Sequence, residues 1–513
     1  EDVTPRDWLD NVAICGNSAP KFQISKRFKH FYFDEFRQAF SGVLINPEMK
    51  KRLAVFNEFC AVFKNTESSA YVADADFNDE TIDFIASCTD RTIYEIIDSS
   101  LPKTNGKTIH VLTCDLEQTM FRAIADIKAG KNVFIATDNK EFSITINDHL
   151  QAITTNDTAQ IEKGNLLVHS DNKGDTAQTK FLADANAEII YYNSIVASPV
   201  IQSGFSITTP HIDIVYGLFS GGTITPNVAI QSIARCRTVK DVYMAFAPQK
   251  HTDRLTDYET LERGEIESRA LMAKAMREMI QDFDVLDRAF IQDDGSFAFS
   301  DFDKLAFKER VAKNVEMTDF ANNVLMLAEI KGYALAYEGE IESATQLSSD
   351  EQSQLESIKE QRIDAIVNLP TNAHIPDKNT AEQLRLKNRT TDESNALTHW
   401  DTAQMSGKES IDADDVKNLN NGKALIVKRH RNIVATDKEL AQRDLENKVL
   451  SRDKTTSQFV QTTLMREVLA QLIVLSSADK KSREKLLKNL RKPHAQQGVK
   501  DNSTTDTAEL KKR

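Results

Sequence analysis

Residues 189–246, IIYYNSIVASPVIQSGFSITTPHIDIVYGLFSGGTITPNVAIQSIARCRTVKDVYMAF, decide the fold class of this chain. Three apolar runs within this stretch are rich in Ile, Val, Tyr and Phe: Ile189–Tyr192, Ile212–Phe219 and Val242–Phe246. Because Gly, Ser and Pro separate the runs, the pattern predicts strands joined by loops.

Two polar signatures accompany these runs. The first is a small-residue loop containing Gly204 and Ser206, where backbone can approach a phosphate or a ribose closely. The second is Gln231-x-x-x-Arg235-x-Arg237, directly before a predicted strand. Arginine stays charged and grips oxygens in a fork, so this pair suits a polyphosphate. The alternative is a solvated arginine pair at a helix end.

Composition sets the outer limits. The chain has 513 residues, 40% of them hydrophobic and 27% charged, which predicts a soluble globular protein of two to four domains. No apolar run is long enough to cross a bilayer as a helix and no signal-peptide pattern is present, so no membrane segment is expected.

The five cysteines form no CxxC pair, which favours reduced thiols in the cytosol over a structural zinc site. With a net charge of −13, any contact with nucleic acid must come from a local groove or patch.

An aromatic run at residues 31–33 ends abruptly in Asp34 and Glu35. Acids at the carboxyl end of a strand lie at the rim of an open α/β sheet, where ligands bind. There, Asp34 could hold Mg²⁺ through water and Glu35 could orient an attacking water. The alternative is that Asp34 caps a helix beginning at Phe36, and both can be true.

Two further segments repeat this arrangement of a short apolar run followed by polar residues. Tyr71–Ala73 predicts a strand that runs into Asp74-Ala75-Asp76. The apolar run Val12–Cys15 predicts a strand that leads into Gly16, Asn17 and Ser18.

Beyond Ile109 the pattern alternates between strands and helices, which predicts a mostly parallel sheet covered on both faces. Strands are expected at 109–113, 133–137 and 166–170, and helices near 116–129 and 175–184. Thr137 and Ser170 fall at strand ends, where a DNA backbone or a nucleotide could be touched. The alternative for each is helix capping. Gly106-Lys107-Thr108 mimics the end of a phosphate-binding loop, but a strand follows it, so the sequence excludes this function.

The β signal disappears after about residue 250. Helical periodicity covers 256–290 and 303–335, and a charged stretch at 341–363 predicts a solvated helix. Residues 371–424 predict loop with short helices, and one more helix is expected at 456–476. The basic clusters at 428–431 and 480–492 could contact nucleic acid, and a solvated basic face is the alternative.

The order of these signatures resembles the superfamily 2 helicases of the herpesvirus origin-binding-protein type, over about residues 11–250. The resemblance implies an α/β fold of RecA-like parallel sheets, with part of a first domain and a complete second domain, followed by an α-helical C-terminal extension. It implies ATP and Mg²⁺ as cofactors and DNA as partner, either single-stranded or as an origin duplex.

The resemblance also implies roles for individual residues, through five motifs. It places Asp34 and Glu35 in motif II, as metal-holding and water-activating acids. It places Gln231, Arg235 and Arg237 in motif VI, with the arginines facing the γ-phosphate. It implies that Asp74 and Asp76 couple the nucleotide state to the grip on DNA. It places Gly204 and Ser206 in motif V. It places Asn17 and Ser18 in a loop that contacts DNA.

The chain departs from that family at the phosphate-binding loop. The loop lies upstream of motif II in these enzymes, and the stretch before Asp34 does not contain it. We therefore expect an N-terminally truncated fragment, with the loop upstream of Glu1, and no ATP hydrolysis by the fragment alone. The motif VI arginines are also two positions apart, where most superfamily 2 enzymes space them by three.

Four domains are expected: 1–105, 106–250, 251–370 and 371–513. The first two are the RecA-like parts, the third is a helical accessory domain and the fourth is a flexible helical extension with a basic tail. The expected function is a DNA helicase or translocase in replication, with origin binding and with replication proteins as partners of the C-terminal helices. The expected location is the cytoplasm, or the nucleus for a eukaryotic or viral source. The alternative is a non-catalytic replication protein that keeps the fold.

Overall fold

The computed structural model describes fifteen segments of the chain. They are residues 12–46, 49, 51–74, 77–89, 92–93, 106–154, 164–198, 205–248, 254–267, 299–339, 348–370, 373–408, 410–418, 424–446 and 458–477. Within them the strands form two sheets, and every strand pair in both sheets is parallel.

The smaller sheet pairs β1 (His30–Asp34) with β2 (Ser69–Ala73). Helices Phe36–Ile45 and Arg52–Lys64 connect the two strands, and helix Asp79–Cys88 follows. Their shared core is dominated by aromatic rings packed at centroid distances of 4.3–6.5 Å, among them Phe36, Phe40, Phe56, Phe59 and Phe84. This core holds the end of β1 in place and so positions Asp34 and Glu35.

The larger sheet has seven strands in the order β5-β6-β4-β7-β8-β3-β9. Their bounds are Thr108–Leu112 (β3), Val133–Thr137 (β4), Gly164–Val168 (β5), Tyr192–Ala197 (β6), Ile214–Phe219 (β7), Asp241–Phe246 (β8) and Ala334–Glu338 (β9). Among the helices that connect or flank them are Leu116–Lys128, Lys140–Thr154, Thr176–Ala183, Ala185–Glu188 and Pro226–Ile233.

Alternate residues of the central strands enter two separate cores, one on each face of the larger sheet. Phe134 and Val215 pack into one core, whereas Ile135 and Tyr216 pack into the other. Every residue of β4 and β7 is buried, as expected for strands covered by helices on both faces.

Helices dominate the C-terminal region. They are Asp301–Thr318, Phe320–Ile330, Ser349–Val367, Lys378–Leu386, Thr391–Ser406, Ala413–Asn418, Ala424–Val434, Asp437–Glu446 and Gln458–Ser477. None of the helices in the described part of the chain is both long and apolar enough to cross a membrane. The prediction of an α/β fold with parallel sheets and a helical C-terminal extension is confirmed.

The chain forms two compact units. One contains Glu1–Ile266 and Phe299–Lys428, and the other contains Glu267–Ala298 and Arg429–Arg513. In the second unit the Arg466 guanidinium donates to carbonyl oxygens at the end of helix Ala424–Val434, including that of Ile433 at 3.0 Å. A cation at a helix C-terminus also complements the helix dipole. The four domains expected from the sequence stay predictions.

Several predicted elements are wrong. Residues 12–15 form no strand, and Ile189–Tyr191 is a 3₁₀ turn, so β6 begins only at Tyr192. Residues 371–424 contain the long helix Thr391–Ser406, whose capping box of Thr390 and Glu393 was a signal in the sequence. Most of the helix expected at 256–290 and the basic run at 480–492 lie outside the described residues.

Strand β9 is the largest correction, because it begins within the stretch 303–335 expected to be helical and lies where no strand was expected. Helix Phe320–Ile330 ends at Lys331 and Gly332, and Gly332 adopts a left-handed φ of 86° that ends helices readily. The next residues then pair with β3 at the edge of the sheet. The strand therefore joins the sheet through a partner that lies far earlier in the chain, which periodicity alone does not reveal.

Candidate functional site

The acids predicted at the end of β1 lie where the strand turns into a helix. Asp34 is exposed at the last position of the strand. Glu35 has a left-handed backbone, with φ 49° and ψ 45°, immediately before helix Phe36–Ile45. A residue with a side chain adopts this conformation at some cost, which persists where the surroundings enforce it and often marks functional positions.

Asp74, rather than Asp34, caps the helix that follows these acids. Its carboxylate accepts a hydrogen bond of 2.7 Å from the backbone N–H of Arg37, in the first turn. The alternative in which Asp34 caps this helix is wrong, because the N-cap position is Glu35 and its side chain makes no capping bond. The Arg37 side chain also pairs with Glu309 at 2.9 Å. Asp74, which is predicted to couple the nucleotide state to the grip on DNA, is therefore hydrogen-bonded to the helix that follows Asp34 and Glu35.

The loop with Ser206 and the arginine segment lie side by side. Ile207 forms an isolated parallel bridge with Cys236: its N–H donates to the Arg235 carbonyl at 2.9 Å, and its carbonyl accepts from the Arg237 N–H at 2.8 Å. The two signatures, although separate in the sequence, therefore form one local structure.

The two arginines occupy different environments. Arg235 is 9% exposed, and its guanidinium donates to the carbonyl oxygen of Phe205 at 3.0 Å. Its buried Nε–H has no hydrogen-bond partner within the described part of the chain. Arg237 is exposed, and its Nε donates to the Ser206 hydroxyl at 3.2 Å.

The charge of Glu35 affects the pKa of Arg235. Burial lowers the pKa of Arg235, the negative charge of Glu35 opposes that effect, and the charge of Arg237 lowers the pKa further. Glu35 and Arg235 lie far apart in the sequence. Folding therefore brings the predicted water-activating acid close enough for its charge to affect Arg235.

Lys107 adds a third cation that the sequence did not single out for this site. It is 7% exposed, and its Nζ donates to the carbonyl oxygen of Cys236 at 2.9 Å, between the two arginines. Burial lowers the pKa of Lys107, and the charge of Arg237 lowers it further. The strand predicted directly after Lys107 is present, as β3. The sequence pattern, a lone lysine directly before a buried strand, does not distinguish this contact from exposure to solvent.

Gln231 and Arg235 line a small cavity at the carboxyl ends of β4 and β6. Its polar lining also includes Thr137, Ser198 and Ser232. Thr137 is 3% exposed, and its hydroxyl oxygen accepts from the N–H of Asn139 at 3.3 Å. The Thr137 side chain thus faces this cavity rather than the protein surface.

The loop after β5 carries Ser170, which is exposed and donates to Asp171 at 3.1 Å. Lys140 and Arg389 both pair with Asp171, at 2.8 and 2.7 Å. Burial alone would raise the pKa of Asp171, but the hydrogen bonds and charges of these two cations lower it to about 2. The N–H of Gly174 donates to the Arg389 carbonyl at 2.7 Å, so the C-terminal region holds the base of this loop.

Asn17 is exposed and Ser18 is half-buried, in the 3₁₀ turn Gly16–Ser18. The DNA contacts expected from these residues, from Thr137 and from Ser170 stay predictions. Asp76 and Gly204 lie outside the described residues.

Within the described residues, no group of three or more His, Cys, Asp and Glu side chains could hold a metal ion by itself. An exposed carboxylate such as Asp34 still fits the usual Mg²⁺ site beside a nucleotide. In such sites one or two carboxylates act together with waters and substrate phosphates.

No protein-family model and no curated protein matches this chain. It is similar to the solved structure of the DEAD-box helicase Mss116 bound to ssRNA and UDP-BeF, with 10% identity and a TM-score of 0.33 over 63% of this chain and 69% of that one. The structure of Mss116p with its NTE and C-tail deleted, bound to ssRNA and AMP-PNP, covers the same shares at 10% identity and a TM-score of 0.30. At these values the likeness supports no statement about activity, which has to be argued from the residues.

Proposed function

We propose that this chain is the nucleotide-hydrolysing and strand-gripping part of a superfamily 2 helicase or translocase. The observation that carries the proposal is the group of three cations, Arg235, Arg237 and Lys107, which the bridge of Ile207 to Cys236 and the bond of Lys107 to the Cys236 carbonyl hold together. Cations held in place by the fold can stabilise the charge of a phosphate, and the acids after β1 would position the water.

Each side chain has a role in this proposal. Asp34 would hold Mg²⁺, which would neutralise charge on the phosphates, and Glu35 would orient the attacking water. The exposed guanidinium of Arg237 reaches the γ-phosphate, because its hydrogen bond to Ser206 is open to solvent and easily exchanged. Arg235 supports it from behind by gripping the Phe205 carbonyl. Asp74 transmits changes at the acids through its bond to Arg37.

The proposed nucleic-acid partner is DNA, as a single strand or an origin duplex, in replication. A chain of net charge −13 needs local contacts for this, and Asn17, Ser18 and Ser170 are the proposed ones. Replication proteins are the proposed partners of the C-terminal helices, and the cytoplasm or nucleus is the proposed location.

The test uses the complete natural protein to which this sequence belongs. ATP hydrolysis is measured without nucleic acid, with single-stranded DNA and with single-stranded RNA of the same sequence, and unwinding is followed on a tailed duplex. The proposal predicts hydrolysis stimulated by DNA and loss of unwinding without ATP. Stimulation by RNA alone would overturn the DNA assignment. DNA binding without any hydrolysis would favour the non-catalytic alternative.

A further inference from the structure

Two of the five cysteines form a facing pair. Cys60 lies in helix Arg52–Lys64, and Cys88 is the last residue of helix Asp79–Cys88. Their Sγ atoms are 3.7 Å apart, which is van der Waals contact and about 1.7 Å longer than a disulfide bond. The sequence offers no motif for this pair, because the two thiols come from separate helices that are distant in the chain.

The two thiols have opposite acidities. A hydrogen bond from Cys60 is the largest influence on Cys88 and lowers its pKa to about 7, whereas the same interaction raises the pKa of Cys60. Burial opposes the shift at Cys88; Ser87 and the charge of Lys64 support it, and Asp301 opposes it. The directions of the two shifts favour the thiolate on Cys88, with the protonated thiol of Cys60 in contact with it. A thiolate is the reactive nucleophile, and a neighbouring thiol can resolve its oxidised form.

We propose that Cys60 and Cys88 are a peroxide-reactive dithiol that hydrogen peroxide converts into a disulfide. The Cys88 thiolate attacks one peroxide oxygen, the O–O bond breaks, and the released hydroxide takes a proton to become water. The sulfur of Cys60 then attacks the sulfenic acid on Cys88. The S–S bond forms, the S–O bond breaks, and the hydroxyl leaves as water with the proton of Cys60. Two thiols lose two electrons in total, and one peroxide becomes two waters.

The surroundings select a small oxidant. Cys88 is 8% exposed and Cys60 is half-buried, so peroxide reaches the pair more readily than a bulky disulfide does. The bond would join the two helices and close a loop that contains β2 and Asp74. It would therefore restrict the motion of the segment that contains Asp74, whose carboxylate caps helix Phe36–Ile45. The chemistry itself does not depend on the proposed helicase function.

The test is a peptide map of the whole chain. The reduced protein is treated with hydrogen peroxide at neutral pH, blocked with iodoacetamide and digested without reductant. The expected product is one linked peptide joining Cys60 and Cys88, lighter by two hydrogens than its two parts and lost after dithiothreitol. Peroxide that oxidises Cys88 to sulfinic acid without any linked peptide would overturn the proposal.

Single substitutions separate the two steps. In Cys60→Ser the hydroxyl keeps a donor beside Cys88, so the sulfenic acid should accumulate and be trapped by dimedone. Cys88→Ser should leave Cys60 unmodified, whereas Cys15→Ser, at an exposed thiol, should form the link as readily as the native chain. Dimedone labelling of Cys60 in Cys88→Ser, or a linked peptide that contains Cys15, would contradict the assignment.

Discussion

The Nζ of Lys107 donates a hydrogen bond to the carbonyl oxygen of Cys236 at 2.9 Å. The lysine precedes the first strand of the larger sheet, and the cysteine lies between the two arginines of the predicted phosphate site. A buried cation thus anchors the backbone that carries the arginines, and its charge adds to theirs.

In the complete natural protein to which this sequence belongs, we expect Lys107→Met to lower DNA-stimulated ATP hydrolysis about tenfold to hundredfold, the equivalent of one hydrogen bond from a charged donor. The thermal midpoint should fall, because the buried carbonyl oxygen of Cys236 loses its donor. Lys131→Met, at an exposed lysine, is the matched control and should change neither quantity. If Lys107→Met hydrolyses ATP at the native rate, the hydrogen bond from Lys107 to the Cys236 carbonyl has no role in the reaction.

The two arginines should differ when each is replaced by Ala. Arg237→Ala should lower hydrolysis by roughly 10³–10⁵ if it stabilises the transferred phosphate, with no change in folding. Arg235→Ala should lower hydrolysis and also destabilise the fold, because the Phe205 carbonyl loses its donor. Rates are compared with thermal midpoints, with Lys240→Ala as the exposed control.

Single-strand affinity without nucleotide should barely change in either arginine variant, because both side chains are proposed to face the nucleotide. If Arg237 contacts DNA instead, its loss should lower the salt slope of binding by about one unit. Full hydrolysis in both variants would remove the segment from the proposed site.

Glu35→Gln should retain ATP binding and lose DNA-stimulated hydrolysis by roughly 10²–10⁴, because it removes a base and leaves the metal and phosphate contacts. Affinity for a fluorescent ATP analogue and the turnover rate are measured in the same preparation. Glu67→Gln, at an exposed glutamate that follows helix Arg52–Lys64, is the control. Unchanged turnover would exclude Glu35 from the mechanism.

The ion pairs of Asp171 should make stability depend on acidity. Its folded pKa of about 2 lies below the ordinary 3.8, so the stabilisation is present above 3.8 and is lost as the pH falls towards 2. Asp171→Asn should lower the free energy of unfolding at neutral pH by about 2 kcal/mol. It should also make the free energy of unfolding depend less on pH between 3.8 and about 2. Denaturant titrations across this range test it, with the exposed Glu356→Gln as control. If the free energy of unfolding of Asp171→Asn falls with pH as steeply as that of the native chain, the role of Asp171 is contradicted.

Gly174 should tolerate no side chain. A Cβ there would lie 2.7 Å from the backbone carbonyl carbon of Arg389, so Gly174→Ala should destabilise the fold by about 1–3 kcal/mol. Gly264→Ala is the matched control, because that helical position is open and alanine favours helix by about 1 kcal/mol. Thermal midpoints of the two variants should move in opposite directions.

The sequence by itself determined the alternation of strands and helices in the larger sheet. Val133–Thr137 is a strand with the bounds that its apolar run predicts, and Val242–Phe246 lies within β8. Both are continuous apolar runs because a parallel strand covered on both faces needs apolar side chains in both directions. The positions of Asp34, Glu35 and the arginine segment at element ends followed from the same local patterns.

Only the tertiary structure decided the strand order, the edge position of β9, the capping of helix Phe36–Ile45 by Asp74, the anchor at Lys107 and the contact of Cys60 with Cys88. Each depends on residues distant in the chain, and its free energy comes from a partner that local periodicity does not contain. A lysine before a strand has the same sequence signal whether its Nζ meets water or the Cys236 carbonyl. The packing of the sheet, which brings Lys107 and Cys236 together, decides between the two.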